Sequence, residues 1–210
     1  MPTNDRAAGL SRRRLLGGIA ALALVAAFGA VPRPARAAST DAASAFVTGL
    51  TKELLALVTS GKGDAQVYAG FERILASYAD MPAVAASVLG PPWRGASPAQ
   101  KAAFVAAFQH YLSRRYGRQF RDYRSAKFQV TGARDGGKAG ILVATKVLRP
   151  GQDAIAVDWQ VSDRSGQMKV VNLIIEGVSM LATERAQVGA MLDAQKGSLD
   201  RLTAQLAATS

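Results

Sequence analysis

The run from Met168 to Arg185, MKVVNLIIEGVSMLATER, constrains the fold more than any other part of the chain. Its first half is almost wholly apolar or β-branched, at Val170, Val171, Leu173, Ile174 and Ile175. This pattern predicts a strand covered on both faces, by core on one side and by something else on the other. Gly177 permits a sharp backbone change, and Ser179 is placed to cap a following helix. An apolar sheet face that helices leave partly open is a place for an apolar ligand.

Residues 1–37 have the pattern of an export signal. A twin-arginine motif, SRRRLL at residues 11–16, precedes an apolar run to Val31, and Ala35-Arg36-Ala37 offers a cleavage site. The apolar run is shorter than the roughly 20 residues that a membrane span needs. We therefore expect residues 1–37 to be cleaved and residues 38–210 to form a single exported domain.

The absence of cysteine excludes a disulfide framework, a thiol nucleophile, a cysteine-based zinc site and an acylated amino-terminal cysteine. Of the 26 Lys and Arg and 15 Asp and Glu, six arginines and one aspartate lie in residues 1–37, so cleavage leaves 20 bases, 14 acids and a net charge of +6. Such a protein is attracted to anionic lipid surfaces or acidic proteins. Nucleic acid is a poor candidate partner in an exported compartment.

Hydrophobic periodicity predicts helices over residues 39–60, 64–79 and 81–89, the third capped by Asp80. Ser97-Pro98-Ala99-Gln100 then predicts a capping box at the start of a longer helix. Its apolar residues recur every three or four positions as one continuous stripe of about seven turns: Phe104, Phe108, Tyr111, Leu112, Tyr116, Phe120 and Tyr123. The stripe is either ordinary core or, in part, the lining of a ligand cavity. Arg114, Arg118 and Arg121 lie opposite it, as a solvated face or as a docking ridge for anionic headgroups or an acidic partner.

The second half predicts four strands joined by short turns, over residues 127–133, 141–148, 154–162 and 168–175. The third alternates cleanly, with Val157 and Trp159 on one face and Asp158 on the other. Two helices, from Thr183 and from Ser198, end the chain. Helices, then an antiparallel meander, then helices indicate an α+β fold.

Catalytic signatures are scarce. His110, the one histidine, is predicted to point away from the aromatic stripe without an orienting partner. Glu176 is the one acid at the end of an apolar strand. Its carboxylate is either held structurally, by backbone N–H groups or an arginine, or acts as a general base with a raised pKa in an apolar cavity.

Two stretches resemble the MlaC (toluene-tolerance, auxiliary lipid transport) family. The first is ASVLGPPWRGASPAQK at residues 86–101, followed by Tyr111-Leu112 and Tyr116-Gly117; the second is IEGVSM at residues 175–180, with Glu176, Gly177, Val178 and Ser179 as the motif. The similarity extends through residues 197–206. The family usually has tryptophan at position 168 and aspartate at position 172, where this chain has Met168 and Asn172. Both departures bear on ligand identity more than on the fold.

The resemblance implies a soluble periplasmic carrier that has no catalytic residue, cofactor or metal. Such proteins shuttle a phospholipid between an outer-membrane lipoprotein complex and an inner-membrane MCE-domain ABC transporter, touching the membrane surface transiently. The implied fold is a twisted four-stranded antiparallel sheet wrapped by helices, a nuclear-transport-factor-like cone with a deep apolar cavity. Two alternatives stay open: a hopanoid or other isoprenoid lipid carrier of the same family, and an isomerase-type enzyme that uses Glu176 as base.

For a carrier, we expect the acyl chains to contact one helix and one face of the sheet. The predicted lipid-binding residues are Tyr111, Tyr116, Phe120, Val143, Val147, Val157, Trp159, Val171, Leu173 and Ile175. The strand residues in this list are chosen by assuming which face of each strand points into the cavity. If the alternation is shifted by one residue, each of them is replaced by its neighbour.

Overall fold

The computed structural model describes residues 39–210, except for the side chain of Arg121, and the predicted export signal over residues 1–37 lies outside this part. The helices before the sheet are α1 (Thr40–Val58), α2 (Asp64–Tyr78), α3 (Met81–Leu89), α4 (Pro92–Gly95) and α5 (Pro98–Gly117), with a 3-10 turn at Gln119–Tyr123. The strands are β1 (Lys127–Asp135), β2 (Ile141–Leu148), β3 (Ile155–Ser162), β4 (Lys169–Ile175) and β5 (Val178–Ser179). Helices α6 (Met180–Ala194) and α7 (Leu199–Ala207) follow. The α+β layout is confirmed.

Side-chain caps start the helices where the sequence predicts them. At α5, the Ser97 hydroxyl accepts from the Gln100 amide at 3.2 Å, and the Gln100 side chain accepts from the Ser97 amide at 3.0 Å. Asp80 caps α3 through the Ala83 amide at 3.0 Å, and Ser179 caps α6 through the Ala182 amide at 3.2 Å. Each cap satisfies an amide that has no partner within its helix.

The sequence predicts that the aromatic stripe lies on one continuous helix, and this prediction is wrong. Helix α5 ends at the buried Gly117, and a Cβ there would lie 2.6 Å from Cδ1 of Tyr68, so the α2 ring occupies the space of a side chain. The stripe divides at this point. Phe104 and Phe108 belong to the core between helices, whereas Phe120 and Tyr123 of the 3-10 turn pack against the core of the sheet.

The sheet has five antiparallel strands in the order β1-β2-β3-β4-β5, so the predicted count of four is wrong. The fifth strand arises because Glu176 and Gly177 form a two-residue hairpin in which Ile175 pairs with Val178. Both turn residues have positive φ, 49° and 79°, the combination that tight hairpins need. The cone shape of a nuclear-transport-factor-like fold stays a prediction.

A bulge interrupts the alternation of β4. Gln160 of β3 pairs with Asn172, whereas the next residue, Val161, pairs with Val170, so Val171 is the extra residue. Only Val170 is buried along β4, and the rest of the strand is half-buried. No residue of β4 is exposed, and most of the strand borders the cavity.

Two apolar clusters hold the described part of the chain together. One joins α1 and α2 to the inner face of the sheet, and the other joins α3, α5, α6 and α7. The inner face of β2 and β3 is apolar apart from the buried Thr145, while Asp158 and Gln160 on the other face are half-buried. No helix within residues 39–210 is long and apolar enough to cross a membrane.

Replacing Gly140 with alanine is expected to destabilise the fold by about 2–4 kcal/mol. Gly140 has a φ of 83°, and a Cβ there would lie 2.2 Å from the Val161 carbonyl oxygen, so the backbone must shift. Gly166 is the matched control, because its φ is 85° but nothing lies within 4 Å of its Cβ position. Gly166→Ala should therefore lower the free energy of unfolding only by the strain of a positive φ, about 1–2 kcal/mol. Equal losses in urea unfolding would contradict this explanation.

Candidate functional site

An apolar cavity of about 520 Å³ lies between the inner face of the sheet and the helices. Its volume is within the range of about 300–1,000 Å³ that is usual for small-molecule sites. The sheet contributes Phe128, Val147, Ile155, Val157, Trp159, Val170, Val171, Asn172, Leu173, Ile175 and Val178. The remaining wall is Leu54, Phe71, Leu75, Ala79, Met81, Val84, Val88, Phe108, Leu112, Tyr116, Gln119, Phe120, Tyr123, Met180, Leu181 and Glu184. A site with so few polar groups suits a ligand that is itself mainly apolar.

Eight of the ten predicted lipid-binding residues line this cavity: Tyr116, Phe120, Val147, Val157, Trp159, Val171, Leu173 and Ile175. Tyr111 and Val143 do not. Tyr111 is 4% exposed and packs beside Phe108 between helices, and Val143 is fully buried in the cluster that includes Val47 of α1. These two placements correct the prediction. Contact of the other eight with a lipid stays a prediction.

Several lining residues are absent from the sequence-based prediction. Helix α3 supplies Met81, Val84 and Val88, and its apolar composition is the one signal that could have identified them. Val170 also lines the cavity, because the bulge places it on the inner face in register with Val161. A bulge leaves no clear mark in an apolar sequence, so strict alternation cannot predict this residue.

The charged residue of the cavity wall is Glu184 on α6. It is 4% exposed, its Oε1 accepts a short hydrogen bond from the Tyr116 hydroxyl, and Arg115 Nε lies 3.3 Å from the same oxygen. Burial, together with the bond to Glu184, raises the pKa of Tyr116 above its ordinary value, and burial also raises the pKa of Tyr111. The cluster joins α5 to α6 across the side of the cavity.

The free energy of unfolding should therefore fall in strong base, partly because the folded protein resists deprotonation of Tyr116. A raised pKa in the folded state stabilises the protein fully below the unfolded pKa of about 10, and this contribution is lost as the pH rises above that value. We expect the free energy of unfolding of the wild type to fall more steeply above pH about 10 than that of Tyr116→Phe. Urea titrations at a series of pH values check this, and identical slopes would contradict it.

Glu176 lies outside the cavity, contrary to the hypothesis of a general base in an apolar pocket. The residue is exposed, its carboxylate accepts a short hydrogen bond from the Ala156 amide, and its own amide donates to the Ala156 carbonyl at 3.0 Å. This is the structural alternative weighed from the sequence, a carboxylate held by a backbone N–H. Glu176 fixes the β4–β5 turn against the start of β3.

His110 has an orienting partner, so the prediction that it lacks one is wrong. Its Nδ1 lies 3.0 Å from Oε1 of Glu72, and its Nε2 lies 3.0 Å from the Thr209 carbonyl oxygen. The Ser113 hydroxyl donates to the same Glu72 oxygen rather than to the imidazole. This arrangement joins α2, α5 and the end of the chain, and it is not a serine–histidine nucleophile pair. Within residues 39–210, no group of three acids or histidines is placed to hold a metal ion.

The predicted docking arginines make contacts within the chain. The guanidinium of Arg114 lies 4.7 Å from the Tyr68 ring centroid. Arg118 Nε donates to the Tyr68 hydroxyl at 3.2 Å, and its Nη2 donates to the Ser210 carbonyl oxygen at 3.1 Å. The Arg121 side chain lies outside the described residues. Docking through these arginines stays a prediction.

The fold and the cavity define an α+β protein with an interior site for an apolar group. The MlaC family model matches residues 48–208, and the chain belongs to the MlaC family. The structure is also similar to that of a phospholipid-binding protein from Ralstonia solanacearum, determined in complex with a phospholipid. The two share 22% sequence identity and a TM-score of 0.66, over 79% of this chain and 98% of that chain. At this identity, the likeness shows a shared fold.

Proposed function

We propose that this protein is a soluble periplasmic lipid carrier that encloses the acyl chains of a phospholipid in the cavity. The observation that carries the proposal is the large, almost wholly apolar cavity between sheet and helices. Membership of the MlaC family and the phospholipid bound to the structural neighbour support the same cargo. The twin-arginine sequence at residues 11–16 supports export and cleavage near Ala37.

The energetics of lipid transfer support a cavity that encloses the chains. Exposing each CH₂ group to water costs about 0.8 kcal/mol, so two chains of about 16 carbons cost roughly 25 kcal/mol to move without a carrier. A carrier must therefore cover nearly the whole length of both chains. Transfer itself breaks no covalent bond, so the task needs no catalytic group.

Release is expected to depend on a partner, because a cavity that binds chains this favourably does not empty quickly by itself. The family resemblance supports an outer-membrane lipoprotein complex and an inner-membrane MCE-domain ABC transporter as the two partners. The basic charge of residues 38–210 favours acidic partner surfaces and transient contact with anionic headgroups.

Asn172, one of the two departures from the family pattern, lines the cavity and is held by hydrogen bonds at the start of α6. Its Oδ1 accepts from the Leu181 amide at 3.0 Å, and its Nδ2 donates to the Ser179 hydroxyl at 3.0 Å. The amide is therefore occupied in fixing the start of α6. An aspartate there could accept from the same two groups.

The carrier proposal is tested by the uptake of lipid from vesicles. The vesicles hold a fluorescent phospholipid at self-quenching density, and dequenching reports its removal into the protein. The amount of phospholipid taken up should rise in proportion to the protein concentration. Wild-type protein that takes up no phospholipid would contradict the proposal.

Glu176→Gln separates a carrier from an isomerase of similar shape. Because Glu176 is exposed and bonded to the backbone outside the cavity, we expect the variant to take up phospholipid from vesicles at the wild-type rate. An amide can hold the turn but cannot act as a general base. A variant that folds like the wild type yet loses phospholipid uptake would contradict this assignment.

A further inference from the structure

Arg149 is a cation with an unused donor beside the cavity. It follows β2 in the turn that returns the chain to β3, and its guanidinium carbon lies 5.2 Å from the ring centroid of Tyr123, which lines the cavity. Arg149 is half-buried, and its buried Nε has no hydrogen-bond partner. Within residues 39–210 it also forms no ion pair. A partly desolvated donor without an acceptor is costly, which indicates that an acceptor is missing.

Arg149 lies at the edge of the cavity. Phe128, Val147 and Ile155 are cross-strand neighbours at the end of the sheet where β2 stops, and all three line the cavity. An open depression begins here, lined by Arg149, residues 151–155 and Glu176. Because Ile155 borders both spaces, the apolar cavity adjoins a polar, solvent-open site. An amphiphilic ligand needs this combination.

Two acids line the same depression without neutralising Arg149. The Glu176 carboxylate is engaged by the Ala156 amide, and Asp153 is exposed. Neither forms an ion pair with the guanidinium in the described part of the chain. The cation is therefore available to a ligand. The cation–π contact with Tyr123 holds the guanidinium beside the ring, and a guanidinium already held in place loses less freedom when it binds a ligand.

We propose that Arg149 binds the phosphate group of the cargo lipid at the edge of the cavity. This inference rests on the proposed carrier function and specifies the headgroup chemistry that the carrier selects. A guanidinium presents paired N–H donors that match two phosphate oxygens, and such charge-assisted bonds are about twice as strong as neutral ones. The chains enter the cavity while the phosphate stays beside Arg149, so a lipid of equal chains without phosphate binds less well.

The test measures headgroup preference at constant chain length. Delipidated protein is incubated with vesicles that contain phosphatidylglycerol and diacylglycerol of the same chains, and the extracted lipids are quantified by mass spectrometry. The wild type should prefer the phospholipid. Arg149→Gln should lower the phospholipid-to-diacylglycerol ratio about tenfold or more while total lipid per protein is retained. Arg149→Lys keeps the charge but loses the paired N–H donors of the guanidinium, so it should lower this ratio less.

Arg124→Gln is the matched control, because Arg124 is exposed and lines neither the cavity nor the depression. Its ratio should equal that of the wild type. If Arg149→Gln and Arg149→Lys keep the wild-type ratio, or if Arg124→Gln lowers it equally, the role of Arg149 is overturned while the carrier proposal stands. If the wild type takes up neither lipid, the carrier proposal fails and this inference fails with it.

Excess inorganic phosphate distinguishes a lipid headgroup from the free anion. Because the acyl chains supply most of the affinity, we expect inorganic phosphate alone to show no saturable binding to the delipidated wild type in a calorimetric titration. Saturable phosphate binding that Arg149→Gln abolishes would identify a site for the free anion and overturn the assignment to the headgroup.

Discussion

Leu173→Trp is expected to remove most of the lipid that the protein carries while leaving it folded. Leu173 is half-buried on β4, lines the cavity and lies opposite Trp159 in the sheet register. A larger side chain directed into open space fills volume that the acyl chains need, and it meets less resistance there than in a packed core. We expect lipid per protein to fall by about tenfold, which requires a loss of at least about 1.4 kcal/mol of binding free energy.

Gln129→Trp is the control for the added indole. Gln129 is exposed on β1 and does not line the cavity, so the same side chain is introduced into the same sheet on the solvent side. This variant should carry as much lipid as the wild type. If Leu173→Trp folds with a wild-type circular dichroism spectrum and still carries wild-type amounts of lipid, the cavity is not the binding site.

Phe108→Ala is expected to cost about 3–5 kcal/mol of stability and to change which chains are carried. Phe108 is fully buried at the junction between the helical core and the cavity wall, so its removal joins new empty volume to the cavity. The enlarged cavity should accept longer or bulkier chains. Extraction after incubation with vesicles of mixed chain length should show the shift, and urea unfolding should show the lost stability.

Phe104→Ala separates the two effects. Phe104 is also fully buried, its ring stacks with that of Phe108 at a centroid distance of 5.8 Å, and it does not line the cavity. We expect a similar loss of stability with no change in the chains carried. A shift in chain length caused equally by both variants would assign it to general loosening of the helical core.

Local features of the fold are predictable because they depend on neighbours in the sequence. The capping box at Ser97 and Gln100, the cap at Asp80 and the inner face of β3 each follow from side chains within a few positions of one another. The same holds for Val147, Val157 and Trp159 in the cavity wall, since alternation along β2 and β3 identifies the inner face wherever no bulge intervenes.

Features that depend on distant contacts are not predictable in this way. The aromatic stripe breaks at Gly117, where Tyr68 from another helix occupies the space that a side chain would need. The hairpin that creates β5 places Glu176, a residue with a side chain, at a φ of 49°. Glu176, the acid at the end of the strand, is exposed. Glu184 on α6 borders the cavity instead, because the rotation of α6 against α5 decides which residues face inward.

The most direct test of the carrier account is to identify what the protein holds when it is purified from the periplasm. Denaturing extraction followed by mass spectrometry names the lipid, and a phosphorus assay gives its amount per protein. The account predicts phospholipid in stoichiometric amount. A hopanoid or another lipid without phosphate would contradict the proposed cargo and the role of Arg149. Protein that is empty and takes up no lipid from vesicles would contradict the carrier itself.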